Sequence, residues 1–282
     1  MNSDFHHIDV RPLTGALGAE IFGVDLSKDL DEGCFDEIKR AFADHSVIFF
    51  RDQVITPEQH IAFAQRWGAI NVNRFFEAHA DYPMIAVVRK EADQAKNIGG
   101  MWHADHSYDQ EPALGSALYA CEVPDVGGDT LFASMYHAYE SLSDGMKSLL
   151  SGLNAVHSSR HVFGPETVEE GEEPRFRNAD LAVQDSVHPV IIRHPDTGRQ
   201  ALYVNPDFTV RFEDWTKEES QPLLDYLYQH AARPEFTARF RWQKGSLALW
   251  DNRATWHYAI NDYPGARRVM HRITIDGGPL GA

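Results

Sequence analysis

The fold class is indicated most directly by the stretch Ser246-Leu247-Ala248-Leu249-Trp250-Asp251-Asn252-Arg253-Ala254-Thr255-Trp256-His257-Tyr258-Ala259. It predicts two short strands, at about 246–250 and 254–259, because mainly apolar segments flank a polar turn. No helix fits between these strands, so they do not follow the βαβ pattern of a parallel sheet. The stretch therefore favours an antiparallel β structure.

Similar short segments recur along the chain, between turns rich in Gly, Pro and Asp. The other predicted strands lie at about 8–12, 18–23, 47–51, 84–89, 102–108, 115–121, 190–193, 201–204, 236–242 and 267–275. There is no internal repeat, and the glycines do not form the G-x-G-x-x-G pattern of a dinucleotide-binding turn. We therefore predict a mainly β fold with added helices, an antiparallel sandwich or jelly roll rather than a Rossmann sheet.

Four helices are predicted from capping signals and apolar periodicity. Thr56-Pro57-Glu58-Gln59 and Thr216-Lys217-Glu218-Glu219 are capping boxes, in which a threonine side chain and a Gln or Glu side chain cap each other's backbone N–H groups. Helices are also expected at about 31–44 and 134–153. Gly145 is expected to break the latter into two pieces.

The composition excludes several classes of protein. There are 42 Asp and Glu residues against 26 Lys and Arg residues, giving a formal net charge of −16. Nucleic acid is not an expected partner, because its binding depends on neutralising phosphates with basic side chains. The longest apolar runs, such as 84–88, are far shorter than the roughly 20 residues that span a bilayer, so no membrane insertion is expected. Two cysteines and a start without a leader-like pattern predict a cytoplasmic protein.

The length of 282 residues fits one large domain, predicted to span residues 1–282. One segment, at about 166–186, carries seven acidic residues against two basic ones and has no usable periodicity. It is expected to be a solvated surface loop or a lid, since long loops in compact domains are often functional.

Fifteen histidines prompt a search for metal-binding patterns. On a strand, the two side chains of a His-x-Asp pair lie on one face. The chain contains four such pairs: His7-Asp9, His79-Asp81, His103-Asp105 and His194-Asp196. We favour His103 and Asp105, because this pair alone falls in a strand-like segment, at about 102–108, next to Gly99-Gly100.

A third ligand can come from His257, in the stretch quoted first. Two histidines and one carboxylate form the facial triad of non-haem Fe(II) oxygenases, which leaves coordination positions open. The same donors suit zinc, so a zinc hydrolase is an alternative. A non-catalytic β-sandwich that binds metal through its histidines is another.

The segment Arg267-Arg268-Val269-Met270-His271-Arg272-Ile273-Thr274-Ile275 is a predicted strand whose alternation places Arg268 and Arg272 on one face. Two guanidinium groups on one face of a central strand require anions. A dicarboxylate cosubstrate would supply one, because a guanidinium binds a carboxylate through two parallel hydrogen bonds. Salt bridges at the surface are the alternative.

Four motifs in this order resemble the TauD/TfdA family of Fe(II)/2-oxoglutarate-dependent dioxygenases: Trp102-His103-Ala104-Asp105, Gly127-Gly128-Asp129-Thr130, Trp250-Asp251-Asn252-Arg253 through His257, and Arg268 eleven residues after His257. The resemblance extends from Pro12 to Arg272. It implies a double-stranded β-helix, a variant of the jelly roll. It also implies that the chain hydroxylates a small organic molecule, consumes molecular oxygen and releases succinate and CO2.

The resemblance also implies roles for individual residues. Fe(II) would be bound by His103, Asp105 and His257. The distal carboxylate of 2-oxoglutarate would be held by Thr130 and Arg268, with Arg267 as the competing candidate for the arginine. A plain metal-binding module needs no such carboxylate clamp, so this pair favours the dioxygenase.

The expected substrate positions differ from those of taurine-oxidising members. Asn73 stands where that branch has a substrate-binding histidine, and Gly99 where it has an asparagine. Arg272 matches a position that helps bind the anionic group of sulfonates. Aromatic residues at pocket-like positions imply an apolar, aromatic or anion-bearing substrate: Phe75, Phe76, Phe163, Tyr203 and Phe208. An alkyl sulfonate or sulfate is the alternative, and the family resemblance suggests a homodimer or homotetramer.

Overall fold

The computed structural model describes residues 5–167 and 176–281. Its helices are α1 (Glu32–His45), α2 (Pro57–Gln65), α3 (Met135–Glu140), α4 (Asp144–Leu150), α5 (Arg160–Phe163) and α6 (Lys217–Ala231). Its strands are β1 (Asp9–Pro12), β2 (Ala19–Phe22), β3 (Val47–Phe50), β4 (Ile70–Asn71), β5 (Glu77–Ala78), β6 (Ala86–Lys90), β7 (Gly115–Glu122), β8 (Thr130–Ser134), β9 (Asn154–Ser158), β10 (Asp185–Pro189), β11 (Ile191–Arg193), β12 (Gln200–Leu202), β13 (Thr209–Phe212), β14 (Thr237–Phe240), β15 (Leu247–Asp251), β16 (Thr255–Ala259) and β17 (Arg268–Ile275). The prediction of a mainly β fold with added helices is confirmed.

The strands form one large sheet and several small ones. The major sheet has the order β1-β2-β3-β15-β7-β17-β6-β5, and β4 also pairs with β17. A minor sheet has the order β14-β8-β16, a third has β10-β9-β13, and β11 pairs with β12. Pairing is antiparallel among the described strands except between β2 and β3. The stretch at 246–259 thus contributes one strand to each of the two main sheets.

The core between the major and minor sheets is largely aromatic. Phe49 on β3 stacks on Phe240 on β14, with ring centroids 3.9 Å apart. Phe132 and Trp250 are buried in the same cluster. Aromatic contacts of this kind hold the two sheets face to face and keep their inner surfaces at a fixed separation.

The two capping boxes begin helices as predicted. The Thr56 side chain accepts a hydrogen bond from the Gln59 N–H, and the Gln59 side chain accepts one from the Thr56 N–H. Thr216 and Glu219 repeat this arrangement at the start of α6. These helix starts were predictable because each cap is a local interaction between residues three positions apart.

The helix predicted at about 134–153 is in two pieces, α3 and α4, as expected, but the break precedes Gly145 because Ser143 caps α4 through the Met146 N–H. One local prediction is wrong. The strand predicted at about 102–108 does not form. His103 makes a single bridge with His257, and a turn follows. A left-handed backbone at His106, with φ of 59°, ends any extended conformation there.

Strand β17 passes through the middle of the major sheet, between β7 and β6. Its alternation places Arg268 and Met270 on the face toward the minor sheet, where Met270 joins the aromatic core. Ile273 and Ile275 lie on the opposite face, in the cluster formed with α1 and α2. The predicted shared face of Arg268 and Arg272 is confirmed, since both buried side chains line the same pocket.

A buried histidine in α2 makes stability depend on pH. His60 is 1% exposed, and within the described part of the chain neither ring nitrogen has a hydrogen-bond partner. Burial lowers its pKa from 6.5 to about 3. Between these values the unfolded chain binds one proton more than the folded chain, so stability is lost as the pH falls below 6.5.

We expect His60→Leu to remove this dependence. Relative to that variant, the wild type should lose up to about 1.4 kcal/mol of unfolding free energy for each pH unit below 6.5. Urea unfolding of both proteins at pH 5 and pH 7.5 measures the difference. His6→Leu, at an exposed position, is the control. Equal pH dependence in the wild type and His60→Leu would contradict the prediction.

Among the described residues, none of the helices combines the length and apolar character needed to cross a membrane. The lid predicted at about 166–186 lies partly outside the described residues, since 168–175 are not among them. Within the described remainder, residues 185–189 form β10, which pairs with β9. The lid and the single domain over 1–282 stay predictions.

Candidate metal and cosubstrate site

Three predicted ligands converge at the mouth of the sandwich. His257 lies on β16, and His103 is held beside it by two backbone hydrogen bonds of 2.9 and 3.1 Å between the two residues. The Nε2 atoms of His103 and His257 lie 3.8 and 3.7 Å from the two carboxylate oxygens of Asp105. One ligand atom from each residue can be chosen so that all three lie within 4.8 Å of one another. The three side chains are buried.

The histidines are prepared to donate lone pairs. His103 Nδ1 lies 2.7 Å from the Met101 carbonyl oxygen and must donate to it, which leaves Nε2 with its lone pair toward Asp105. Burial, and the neighbouring His103, hold the pKa of His257 well below its ordinary value. A neutral imidazole is the form that binds a metal ion. Two such nitrogens and a carboxylate in a 4.8 Å cluster fit a divalent cation such as Fe(II).

The Asp105 carboxylate is held by two further side chains. Ser116 Oγ donates to Asp105 Oδ2 at 3.0 Å, and Arg272 Nη1 lies 3.1 and 3.3 Å from the two carboxylate oxygens. Burial opposes ionisation, but the Arg272 guanidinium outweighs it and lowers the pKa of Asp105. The carboxylate is therefore fixed and ionised, as a metal ligand must be.

Arg268 is a buried cation whose nitrogens are not all satisfied. Its side chain is 5% exposed, and Nε and Nη2 have no hydrogen-bond partner within the described residues. Burial lowers the pKa of this guanidinium. Burying such donors without a hydrogen bond costs free energy, so an anionic ligand is the natural partner for them.

Thr130 lines the same pocket, and a hydrogen bond from Trp242 orients its hydroxyl group. Trp242 Nε1 donates to Thr130 Oγ1 at 2.9 Å. The hydroxyl hydrogen is therefore available to a carboxylate in the pocket. Gly128, with φ of 71°, precedes this strand, and a side chain there would meet Tyr263 at 3.3 Å and Arg268 at 3.4 Å. The Gly-Gly turn thus leaves room for the guanidinium.

Arg267 does not compete for this position. Its guanidinium is paired with Glu91 at 2.8 Å and with Glu122. The Arg267 side chain is partly exposed, whereas Arg268 is buried and lines the pocket. Successive side chains of an extended chain point to opposite faces, which is why two adjacent arginines have such different surroundings.

A second histidine and carboxylate cluster has a structural role. His194 Nε2 lies 2.9 Å from Asp251 Oδ2. Arg253 binds both oxygens of Asp251 at 2.9 and 2.7 Å and also binds Asp196 at 2.7 Å. Both carboxylates are already bonded to the Arg253 guanidinium, so the cluster is an ion-pair network. It fixes the turn before β16 and hence the strand that carries His257.

The pocket beside the triad has an aromatic wall. Arg272 and four predicted substrate residues line it: Asn73, Phe76, Phe163 and Phe208. The Arg272 guanidinium lies 4.2 Å from the centroid of the Phe76 ring. Phe176 is the first described residue after 168–175. It also lines the pocket and packs edge-on against Phe76 and Phe163.

Two of the aromatic residues named from the sequence lie elsewhere. Tyr203 belongs to the core on the far side, packed with His157 and His188. Phe75 is fully buried and stacks beneath Phe163 at 4.3 Å. Both residues are core, because their neighbours along the chain turn them away from the opening.

Several residues of the site were missed. Ser116 contacts Asp105, Trp242 contacts Thr130, and His106 lines the pocket with its imidazole bonded to Asp109. Ser116 and Trp242 are distant from their partners in sequence and carried no signal. His106 did carry one, since it directly follows Asp105 and stands three residues before Asp109, a spacing that a turn brings together.

Comparison with known proteins identifies the family. A family model described as "Taurine catabolism dioxygenase TauD, TfdA family" matches residues 9–274. The chain belongs to the TauD/TfdA family. Its TauD/TfdA motifs are those that converge in the structure at the triad and at Arg268.

Several TauD/TfdA relatives align over almost the whole chain. An alkylsulfatase of Acinetobacter baylyi is 35% identical, covering 96% of this chain and 85% of its own. An alpha-ketoglutarate-dependent sulfate ester dioxygenase of Pseudomonas putida is 34% identical, covering 96% and 90%. An (S)-phenoxypropionate/alpha-ketoglutarate-dioxygenase of Sphingobium herbicidovorans is 32% identical, covering 96% of each.

Solved structures of the same kind share the fold. A taurine dioxygenase from Burkholderia xenovorans has a TM-score of 0.83 and 34% identity, covering 98% of this chain and 93% of its own. AAD-2, solved in complex with Mn(II) and N-oxalylglycine, has a TM-score of 0.80 and 28% identity, covering 98% and 100%. The jelly-roll prediction is confirmed.

The predicted class is likewise confirmed as an Fe(II)/2-oxoglutarate-dependent dioxygenase, an oxidoreductase that acts on a small molecule. Its cofactors are Fe(II) and 2-oxoglutarate, with molecular oxygen.

Proposed function

We propose that this chain oxidises a small organic molecule that combines an apolar or aromatic body with an anionic group. In this proposal His103, Asp105 and His257 hold Fe(II), while Thr130 and Arg268 hold the distal carboxylate of 2-oxoglutarate. The observation that carries it is the buried guanidinium of Arg268, which keeps two unpaired nitrogens beside a His-Asp-His cluster. A zinc hydrolase or a metal-binding module has no use for that group.

When bound, Fe(II) and 2-oxoglutarate supply the oxidising equivalent from molecular oxygen, with release of succinate and CO2. The chain's own part is to bind and orient. Arg268 and Thr130 fix one end of the cosubstrate, and the phenylalanine wall excludes water from the position next to the metal ligands. Arg272 places positive charge at the same wall, although the overall charge of the chain is −16.

The arrangement supports an anion-bearing substrate because a guanidinium and an aromatic ring share one surface of the pocket. Arg272 still has Nε without a hydrogen-bond partner among the described residues, even though Nη1 contacts Asp105. A sulfate or carboxylate could use such a donor. Relatives named for a sulfate ester and for phenoxypropionate make alkyl sulfates the first candidates and aryloxyalkanoates the second.

The class is tested by anaerobic addition of Fe(II) and 2-oxoglutarate. We expect a weak visible charge-transfer band, which a zinc hydrolase or a binding module would not give. The substrate is tested by succinate release with hexyl sulfate, (S)-phenoxypropionate and taurine under matched conditions. Faster release with the first two would support the proposal. Release stimulated by taurine alone would contradict the proposal that the substrate has an apolar or aromatic body.

We further expect a homodimer or homotetramer, cytoplasmic localisation, and a lid at about 166–186. Phe176 supports the lid, because this side chain from the middle of the segment lines the pocket. Protease cleavage within the segment should slow when Fe(II), N-oxalylglycine and hexyl sulfate are all present. Equal cleavage with and without them would count against a lid.

A further inference from the structure

One wall of the substrate pocket contains a chain of polar side chains that the reaction described above does not use. His106 is 2% exposed, lines the pocket, and adopts a left-handed backbone with φ of 59°. A non-glycine residue in that conformation is uncommon and needs surrounding contacts to hold it. Here the contacts are side-chain hydrogen bonds to Asp109 and Asn73.

The first bond fixes which ring nitrogen carries hydrogen. His106 Nδ1 lies 2.8 Å from Asp109 Oδ2. The other oxygen of Asp109 accepts from Arg74 at 2.7 Å. An ionised carboxylate can only accept, so His106 Nδ1 must donate to it.

The direction of the second bond, between His106 and Asn73, is determined by the other contacts of Asn73. Asn73 Oδ1 accepts the backbone N–H groups of Phe75 and Phe76 at 2.9 and 3.1 Å. Only the oxygen of an amide can do this, so Asn73 Nδ2 is the atom that faces His106 Nε2, at 3.3 Å. His106 Nε2 therefore accepts, and the imidazole is the Nδ1–H tautomer.

The direction of these bonds decides what the pocket presents to a ligand. With its oxygen turned to the backbone and one N–H turned to His106, Asn73 has a second N–H for the pocket that it lines. Phe76 links this amide to Arg272, since its N–H donates to Asn73 and its ring lies 4.2 Å from the guanidinium. Asn73 and Arg272 are then both hydrogen-bond donors.

We propose that His106, oriented by Asp109 and Arg74, is a specificity-determining positioning residue that holds Asn73 as a hydrogen-bond donor to the anionic group of the substrate. This inference rests on the proposed function and names the feature that the substrate must have. An acceptor group such as a sulfate or carboxylate is favoured, and a group that can only donate is rejected.

Asp109→Asn tests the relay, because its effect on hydrogen-bond direction can be worked out. Arg74 can only donate, so the new amide must turn its oxygen to Arg74 and its NH2 group to His106. The imidazole then takes the Nε2–H tautomer and meets the N–H of Asn73, donor against donor. We expect the KM for hexyl sulfate to rise about tenfold while the KM for 2-oxoglutarate stays unchanged.

His106→Gln and His106→Leu distinguish the effect of hydrogen-bond direction from the effect of side-chain size. A glutamine oxygen can still accept from Asn73, so His106→Gln should keep the KM for hexyl sulfate within about threefold, whereas His106→Leu should resemble Asp109→Asn. Asp225→Asn, an exposed acid on α6, is the matched control. An unchanged KM in both Asp109→Asn and His106→Leu, or equal loss in all three variants, would overturn the proposal.

A second measurement does not depend on turnover. In ¹⁵N-histidine-labelled protein without metal, the His106 signals are assigned as those absent from His106→Gln. They should report the Nδ1–H tautomer in the wild type and the Nε2–H tautomer in Asp109→Asn. An Nε2–H tautomer in the wild type would overturn the relay even if the enzyme is active. Loss of succinate release with every anionic probe, with the Nδ1–H tautomer intact, would instead refute the proposed function alone.

Discussion

Asp105→Asn will abolish both tight Fe(II) binding and the turnover of 2-oxoglutarate. The substitution removes the negative charge from the cluster and leaves two neutral imidazoles, His103 and His257, as the remaining ligands. Changing groups that merely hydrogen-bond to a metal ligand typically costs 10–100-fold in affinity, so losing the carboxylate itself should cost more than about a hundredfold. It also leaves Arg272 without its anion at 3.1 Å.

The measurement is calorimetric titration with Mn(II), which avoids oxidation, together with succinate release under Fe(II). Asp196→Asn is the control, because Asp196 belongs to the other histidine and carboxylate cluster and is already paired with Arg253. It should keep one Mn(II) site of wild-type affinity. Since an unpaired Arg272 could lower stability, thermal unfolding is recorded for each variant. Wild-type affinity in a folded Asp105→Asn would remove this residue from the ligand set.

Arg268→Leu will raise the KM for 2-oxoglutarate by about a hundredfold to a thousandfold, since two charge-assisted hydrogen bonds are lost. The same change should leave the stability of the cosubstrate-free chain unchanged or higher. The reason is that Arg268 is a buried cation with two unpaired nitrogens, and removing it relieves that cost. Opposite signs for binding and stability distinguish a ligand-binding arginine from a structural one.

Succinate release at varied 2-oxoglutarate gives the KM, and thermal unfolding with and without N-oxalylglycine gives binding independently of chemistry. Arg268→Lys should fall between the wild type and Arg268→Leu, because an ammonium keeps the charge but not the planar fork. Arg267→Leu is the neighbouring control and should leave the KM unchanged, since its partners are Glu91 and Glu122. A raised KM in Arg267→Leu would move the cosubstrate site to that residue.

Local signals in the sequence predicted local structure well. The capping boxes at Thr56 and Thr216 begin α2 and α6, and the alternation of β17 puts Arg268 and Arg272 on one buried face. Each signal involves residues within a few positions of one another, so tertiary structure does not have to be known. The proposed ligands His103, Asp105 and His257 were predicted from residue spacing and from the family motifs, and the structure brings the three side chains together.

Failures arose where distant residues control the backbone. The segment at about 102–108 alternates like a strand, but pairing with His257 uses one residue of it and the bond from His106 to Asp109 turns it away. Strand β8 was missed because Thr130–Ser134 is short and runs directly into α3. Neither the contact of Ser116 with Asp105 nor that of Trp242 with Thr130 could be predicted. Both depend on the order of strands in a sheet, which no single segment of sequence determines.

The central place of β17 has a consequence for how the chain is made. This strand comes after all its sheet partners in the sequence, and its neighbours β7 and β6 stay separated until it arrives. A nascent chain therefore exposes two unpaired strand edges during much of synthesis, and closing contacts of such high sequence separation is slow. His103 and Asp105 emerge early, but Arg268 and Arg272 join them only at this last step. The proposed 2-oxoglutarate site is thus complete only after β17 joins the sheet, and stalled or shortened chains should aggregate before they bind the cosubstrate.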